Sequence, residues 1–108
     1  MTKAELEKLI SSSSVTLIDA NGNESYRQGH IPSAIDLGAH LRDFNTILPR
    51  DKNALIVAYC GGESCKAYET ATKGAIALGY TNVKHYAGGL RGWVSKGRKL
   101  VKVNQPAP

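Results

Sequence analysis

The feature that most constrains the fold of this 108-residue chain is an apolar run, a short loop and a helix-like segment in direct succession. Residues 54–59 are apolar at every position, which is typical of a strand covered by helices on both faces of a parallel sheet. Residues 66–78 place three alanines and Leu78 on one stripe, so that a helix here can pack close to a sheet. This unit predicts a parallel α/β architecture.

The rest of the chain continues the alternation of strands and helices. Four further runs have the composition of strands, namely residues 15–19, 34–37, 83–86 and 100–103, the last as an edge strand protected by lysines. Four further segments predict helices, namely residues 3–10, 24–27, 39–44 and 90–96. Thr2, with Glu5 three residues on, is an acceptable N-cap for the first of these helices. The predicted fold is a small parallel β-sheet flanked by helices on both faces.

Length and composition predict one domain. With 42% apolar and 21% charged residues, the chain can form a single core and is too weakly charged to be disordered. We expect a domain over residues 1–103 and a disordered tail over residues 104–108, which have nothing to bury. No apolar run approaches the ~20 residues that cross a bilayer, and no secretory signal is visible at the N-terminus. We therefore expect a cytoplasmic protein with no membrane partner.

The charge of the chain is unevenly distributed. Residues 1–69 contain seven Lys and Arg against nine Asp and Glu, whereas residues 70–108 contain seven cations and no acid. This asymmetry favours an anionic substrate or partner on the C-terminal side. The cations are scattered and lack the interleaved aromatic residues of a stacking surface, which argues against nucleic acid as a partner.

Cys60 stands where the apolar strand ends and the loop begins. Two glycines and a helix start follow, so that backbone N–H groups and the helix dipole can stabilise a thiolate and an anion bound above it. We expect the pKa of the Cys60 thiol to lie below its usual value, which would make Cys60 a nucleophile. The alternative is a buried structural cysteine in a glycine-rich turn. Asp19 and Asp36 also close predicted strands and should lie at the same sheet edge.

Several pieces of the sequence, in order over about residues 3–103, resemble the single-domain rhodanese-like sulfurtransferases. The family patterns include EYxxGHIPGAI and GGxxxW. The matching pieces here are LID at residues 17–19, YRQGHIPSAI at 26–35, VAYC at 57–60, LGYTNV at 78–83 and GGLRGW at 88–93. The resemblance implies the rhodanese-like fold.

The resemblance also implies an activity. In that family the cysteine matching Cys60 takes sulfane sulfur from thiosulfate or another donor, becomes a persulfide and passes the sulfur to cyanide or a thiol. Amides of the loop can hold the terminal sulfur as an anion. We expect no metal and no other cofactor. The expected substrate-binding residues are those of the loop, namely Gly61, Gly62, Glu63, Ser64, Cys65 and Lys66.

The chain departs from the family pattern at three positions. Asn21 stands where an Arg usually follows the aspartate, and Glu63 and Cys65 replace the Gly and Arg of the common CxxGxRS loop. The chain thus resembles a subgroup with a C-x4-C loop. Glu63 at the mouth would repel thiosulfate, which favours a less charged donor or a protein persulfide. Lys66 is taken as the only cation in or beside the loop, where it either pairs with an anionic donor or is a solvated lysine that counters an acid.

Cys65 can resolve chemistry that begins at Cys60. A disulfide needs Cα atoms about 4.4–6.8 Å apart, which a loop of this length allows. Cys65 could then attack a persulfide or sulfenic acid on Cys60 and release sulfide or water. The alternative is that Cys65 merely begins the helix as a small apolar residue.

The remaining candidate residues are interpreted as structural. We expect His30 to be a hydrogen-bonded turn residue rather than a proton relay, and His40 and His85 to be structural or solvated because they lack metal-ligand spacing with the cysteines. We expect Trp93 to be a core anchor whose indole N–H finds a partner.

Two other functions stay open at this point. Phosphatase or arsenate-reductase relatives of the fold use an essential Arg where this chain has Lys66, which is a poorer bidentate clamp for an oxyanion. The second alternative is a catalytically silent binding module or a redox-regulatory module. Cys60 in a glycine-rich loop argues against a silent module.

Overall fold

Four short strands form one parallel sheet in the computed structural model, which describes residues 1–62, 64–97 and 99–103. Glu63 and the predicted tail at 104–108 lie outside the described residues. The spatial order of the strands is β2-β1-β3-β4. The strands are β1 (Thr16–Asp19), β2 (Ile35–Asp36), β3 (Ile56–Tyr59) and β4 (Val83–His85). The predicted parallel α/β fold is confirmed, with the run that is apolar throughout as the fully buried central strand β3.

Short helices connect and follow the strands. The α-helices are α1 (Lys3–Ser11), α2 (Asn23–Gln28), α3 (Tyr68–Ala77) and α4 (Gly89–Val94). The 3₁₀ helices are Leu37–His40, Phe44–Ile47 and Ser95–Gly97. The predicted cap of α1 is confirmed, because the Thr2 hydroxyl accepts from the Glu5 amide at 3.1 Å while the Glu5 carboxylate accepts from the Thr2 amide at 3.3 Å. No helix in the described part of the chain is long and apolar enough to span a bilayer.

Three predicted elements differ from the observed ones. Residues 100–103 form no strand of the sheet: Val101 makes only an isolated antiparallel bridge with His30, through two backbone hydrogen bonds of 2.8 and 2.9 Å. The helix predicted over 39–44 is replaced by two 3₁₀ turns, the first beginning earlier because the Asp36 carboxylate accepts from the Gly38 amide at 2.9 Å. Helix α3 begins at Tyr68 rather than at residue 66, because the carbonyls of Lys66 and Ala67 accept from amides three residues on, those of Glu69 and Thr70.

The core lies on both faces of the sheet. Alternate residues of β3 point to opposite sides, so that Val57 and Tyr59 join one cluster and Ile56 and Ala58 the other. The first cluster packs α1 and α4 against the sheet through Leu6 and Trp93, and the Trp93 indole N–H donates to the carbonyl of Lys99 at 3.1 Å. The second packs α3 through alanines 71 and 75. Helices on both faces and Trp93 as a core anchor are therefore confirmed.

Candidate active site

Cys60 follows the last residue of β3 and is 1% exposed. The first turn of α4 approaches its loop directly. The amide of Leu90 donates to the Cys60 carbonyl at 2.9 Å, and the amide of Arg91 donates to the Gly61 carbonyl at 3.1 Å. Because the C=O and N–H of a trans peptide point in opposite directions, these bonds turn the amides of Gly61 and Gly62 away from α4. The loop backbone is thus oriented by a helix that comes much later in the chain.

Gly89 makes this approach possible. Its φ is +58°, and a Cβ built on it would overlap the Cys60 carbonyl oxygen and lie 2.8 Å from the Gly62 nitrogen. A side chain at this position would therefore push α4 off the loop. The second glycine of the GGLRGW piece therefore contacts the cysteine loop directly.

Cys60 and Cys65 are joined by a disulfide. Their Cα atoms are 6.2 Å apart, and the loop folds back through a turn in which the Cys65 amide donates to the Gly62 carbonyl at 3.1 Å. Cys65 is partly exposed, in contrast to the buried Cys60. The structure therefore brings the two sulfur atoms of the C-x4-C loop together.

A cavity of about 490 Å³ opens beside the loop. Two predicted site residues line it, Gly62 and Ser64, and the cavity is otherwise lined by Gly88, Arg91, Gly92 and Ser95. The Arg91 side chain packs along the loop, with its Cδ 3.5 Å from where a Cβ on Gly62 would stand. The expectation that Lys66 is the only cation in or beside the loop is therefore wrong.

Lys66 is exposed and is not among the residues that line the cavity. The pKa of the nearby Glu69 is held below its usual value, first by a hydrogen bond from Lys73 and then by the charge of Lys73. The charge of Lys66 makes a smaller contribution in the same direction. Arg91 was missed because it lies far from Cys60 in sequence. The available signal was its place inside the GGLRGW piece, whose first residues meet the loop.

A buried acid supports the end of β3. Asp19 is fully buried and accepts from the Tyr59 hydroxyl at 2.6 Å and from the Asn21 amide at 2.8 Å. The Tyr59 hydroxyl in turn accepts from the amide of Ile31 at 3.0 Å. Burial raises the pKa of Asp19 in spite of the hydrogen bonds from Tyr59 and Asn21, and the nearby Asp36 raises it further.

The strand register confirms that the two aspartates and Cys60 share one sheet edge. Asp19 is paired with Asp36 on one side and with Tyr59, the residue before Cys60, on the other. The Asp36 carboxylate is itself partnered, accepting from the Asn23 side-chain amide at 2.6 Å. Neither carboxylate lines the cavity beside the loop, and both accept hydrogen bonds at the ends of their strands.

The histidines are placed as structural residues. His30 is 5% exposed, its Nδ1 donates to the Tyr26 carbonyl at 2.8 Å and its ring stacks on Tyr26, which confirms the hydrogen-bonded turn residue. His85 stacks on Tyr68, and burial lowers its pKa. His40 pairs with the exposed Asp43. Among the described residues, no group of three or more His, Cys, Asp or Glu side chains is arranged to hold a metal ion.

Most of the chain is similar in sequence to a known protein family and to curated proteins. The family model described as "Rhodanese-like domain" matches residues 2–96. The mouse thiosulfate sulfurtransferase/rhodanese-like domain-containing protein 3 is 34% identical over 110 residues, covering 88% of this chain and 68% of the mouse protein. The HTH-type transcriptional regulator Rv0324 of Mycobacterium tuberculosis is 36% identical over 109 residues, covering all of this chain and 46% of the regulator. The chain therefore spans less than half of that regulator.

Solved structures give the same result. The human single-domain sulfurtransferase TSTD1 superimposes with a TM-score of 0.73 at 27% identity, covering 89% of this chain and 95% of the human one. The structure titled rhodanese with anions from E. coli superimposes with a TM-score of 0.63 at 27% identity, covering 82% and 99%. The likeness thus extends over most of this chain. The chain belongs to the rhodanese-like domain family.

Proposed function

We propose that this chain is a sulfurtransferase that carries sulfane sulfur as a persulfide on Cys60. The observation that carries the proposal is the position of Cys60, buried at the carboxyl end of β3, in a loop held by α4 and next to a cavity lined by Arg91. Membership of the rhodanese-like family and the likeness to a human sulfurtransferase support the same reaction class.

The proposed reaction has two displacement steps. The Cys60 thiolate attacks the outer sulfur of thiosulfate, the S–S bond of the donor breaks and sulfite leaves with the electron pair. A thiolate or cyanide then attacks the outer sulfur of the persulfide, and the Cys60 thiolate is the leaving group. Cys60 ends each cycle unchanged and needs no cofactor to do so.

The site residues have distinct proposed roles in these steps. Arg91 attracts the anionic end of the donor into the cavity, because it is the charged residue among the described residues that line it. The turned amides of Gly61 and Gly62 offer donors to the terminal sulfur. A small anionic donor or a protein persulfide and a thiol or cyanide acceptor are the proposed partners.

Mass spectrometry of the reduced protein after thiosulfate treatment tests the proposal. We expect the Cys65→Ser variant, which keeps the nucleophile and cannot close the disulfide, to gain about 32 Da for one added sulfur atom. The matched variant Cys60→Ser should fold normally and gain no sulfur, because a serine hydroxyl stays protonated at neutral pH and does not replace the thiolate. Sulfur uptake by Cys60→Ser would overturn the assignment.

The disulfide favours a second candidate function, that of a redox-regulatory domain. Cys60 and Cys65 would then act only as a reversible dithiol, and the match of the whole chain to part of an HTH-type transcriptional regulator is compatible with such a role. Sulfur uptake from thiosulfate by a variant that lacks Cys65 distinguishes the two functions. A redox-regulatory domain forms the disulfide under oxidation, but takes up no sulfur from thiosulfate when Cys65 is absent.

A further inference from the structure

The loop that begins at Cys60 places the sulfur atom of Cys65 against the sulfur atom of Cys60. Cys65 is five positions along the chain, and the two residues form a disulfide with a Cα separation of 6.2 Å. Both ends of this arrangement are held by backbone hydrogen bonds, from the amide of Leu90 to the Cys60 carbonyl and from the amide of Cys65 to the Gly62 carbonyl. A Cys65 thiolate therefore stands within reach of any sulfur chemistry on Cys60.

We propose that Cys65 is a second catalytic residue, which attacks the Cys60 persulfide and releases its outer sulfur as hydrosulfide. The protein would then have a further activity, the reduction of sulfane sulfur to sulfide. This inference rests on the proposed function, because Cys60 must accept a sulfur atom before Cys65 can act on it.

The step is balanced in atoms and electrons. The Cys65 thiolate attacks the inner sulfur of the persulfide, which is the Sγ of Cys60, and the Cys60–Cys65 disulfide bond forms. The bond between the Cys60 Sγ and the outer sulfur breaks, and the outer sulfur leaves with the electron pair and takes up a proton from water to become hydrosulfide. The two cysteines lose two electrons, and the sulfane sulfur gains them.

A dithiol reductant completes the cycle. Cys65 is partly exposed whereas Cys60 is 1% exposed, so that an incoming thiolate reaches the Cys65 sulfur first. A mixed disulfide forms on Cys65, the Cys60 thiolate leaves, and the second thiol of the reductant then releases Cys65. With thiosulfate as donor, one thiosulfate and one dithiol give one sulfite, one hydrogen sulfide and one cyclic disulfide.

The position of the bond argues against a purely structural disulfide. The disulfide includes Cys60, the proposed nucleophile at the end of the buried strand. The oxidised protein therefore cannot accept sulfur on Cys60. A bond that blocks its own site and has one partly exposed sulfur is suited to repeated opening and closing. The disulfide form is thus assigned as the state that follows sulfide release.

A single-turnover experiment without reductant tests the inference. Reduced, desalted protein is mixed with thiosulfate under nitrogen, and free sulfide and intact mass are measured. We expect wild type to release about one sulfide per chain and to lose about 2 Da as the disulfide closes. We expect Cys65→Ser and Cys65→Ala to keep the added sulfur, at about 32 Da, and to release no sulfide.

The outcomes separate the two proposals. If wild type and both Cys65 variants all keep the added sulfur and none releases sulfide, the inference is overturned while the sulfurtransferase proposal stands. If neither Cys65 variant gains sulfur, the sulfurtransferase proposal fails and the inference fails with it. Sulfide release by Cys65→Ser at the wild-type yield would also overturn the inference, because another group would then be the attacking nucleophile.

Discussion

Arg91 shows at the scale of a single residue how a charge can enter a site from a remote part of the chain. Its backbone amide binds the Gly61 carbonyl and its side chain lies along Gly62, so that one residue both orients the loop and charges the cavity. Lys66 is adjacent to the loop in sequence, but does not line the cavity. Proximity along the chain was therefore a poor guide to which cation lines the cavity.

The contrast between these two cations gives a prediction on substrate binding. We expect Arg91→Ala to raise the KM for thiosulfate about two- to fivefold, the range for an exposed charge interaction, with a smaller change in kcat. Lys66→Ala is the matched control and should leave the KM within error, since Lys66 is exposed and does not line the cavity. Steady-state kinetics of transfer to cyanide at low and high salt measure both. An increase in KM for Lys66→Ala alone would reverse the assignment.

At the scale of elements, α4 and the loop after β3 form one unit. Amides in the first turn of α4 donate to the carbonyls of Cys60 and Gly61, and a Cβ at Gly89 would overlap the loop backbone. Helix α3 follows the loop directly but begins only at Tyr68. The loop conformation is thus set by the later helix as well as by the strand before it.

We therefore predict that Gly89→Ala lowers stability and sulfur transfer together. The added methyl group costs backbone strain at positive φ and also overlaps the loop, about 2–5 kcal/mol in all. Gly79→Ala is the matched control, because Gly79 has φ +95° but open space around its Cβ, so that only about 1–2 kcal/mol of backbone strain is expected. Urea unfolding and thiosulfate kinetics compare the two. Equal kcat/KM losses in both variants would contradict the role of the α4 contact.

At the scale of the whole molecule, a buried hydrogen-bond network joins segments that are distant in sequence. Tyr59 on β3 links Asp19 on β1 to the backbone of Ile31, which lies before β2. Buried hydrogen bonds of Asp19 therefore join the segments at the sheet edge that carries Cys60, and burial raises the pKa of Asp19. Titration of this acid couples the stability of the whole fold to pH.

The sign of that coupling follows from the raised pKa. Native Asp19 binds its proton more tightly than the unfolded chain does, so this group makes the protein lose stability as pH rises from about 4, the unfolded pKa, through the raised native pKa. Asp19→Asn does not titrate and should lack this loss. We expect the stability difference between wild type and Asp19→Asn to change in favour of the variant as pH rises. Urea unfolding from pH 4 to 7 measures it, and a constant difference would rule the coupling out.

Much of the fold was predictable because its signals are local. A strand that is apolar at every position, helical spacing of small residues and the Thr2 capping box each involve residues a few positions apart, and each is confirmed. Residues 100–103 failed as a strand because their composition suits an extended segment, whereas pairing depends on what lies beside them. Val101 pairs with His30 in antiparallel orientation, and the Val103 amide donates to the Arg27 carbonyl, but none of these partners belongs to a strand of the sheet.

The site divides in the same way. The cysteine at the end of a buried strand and the glycines after it are visible in consecutive residues, and the short pieces spread over residues 17–93 indicated the family. The approach of α4, the need for glycine at position 89, the entry of Arg91 and the pairing of Asp19 with Tyr59 were decided by tertiary structure alone. The physical reason is that hydrogen bonds and packing between distant segments leave no periodicity in the sequence of either one.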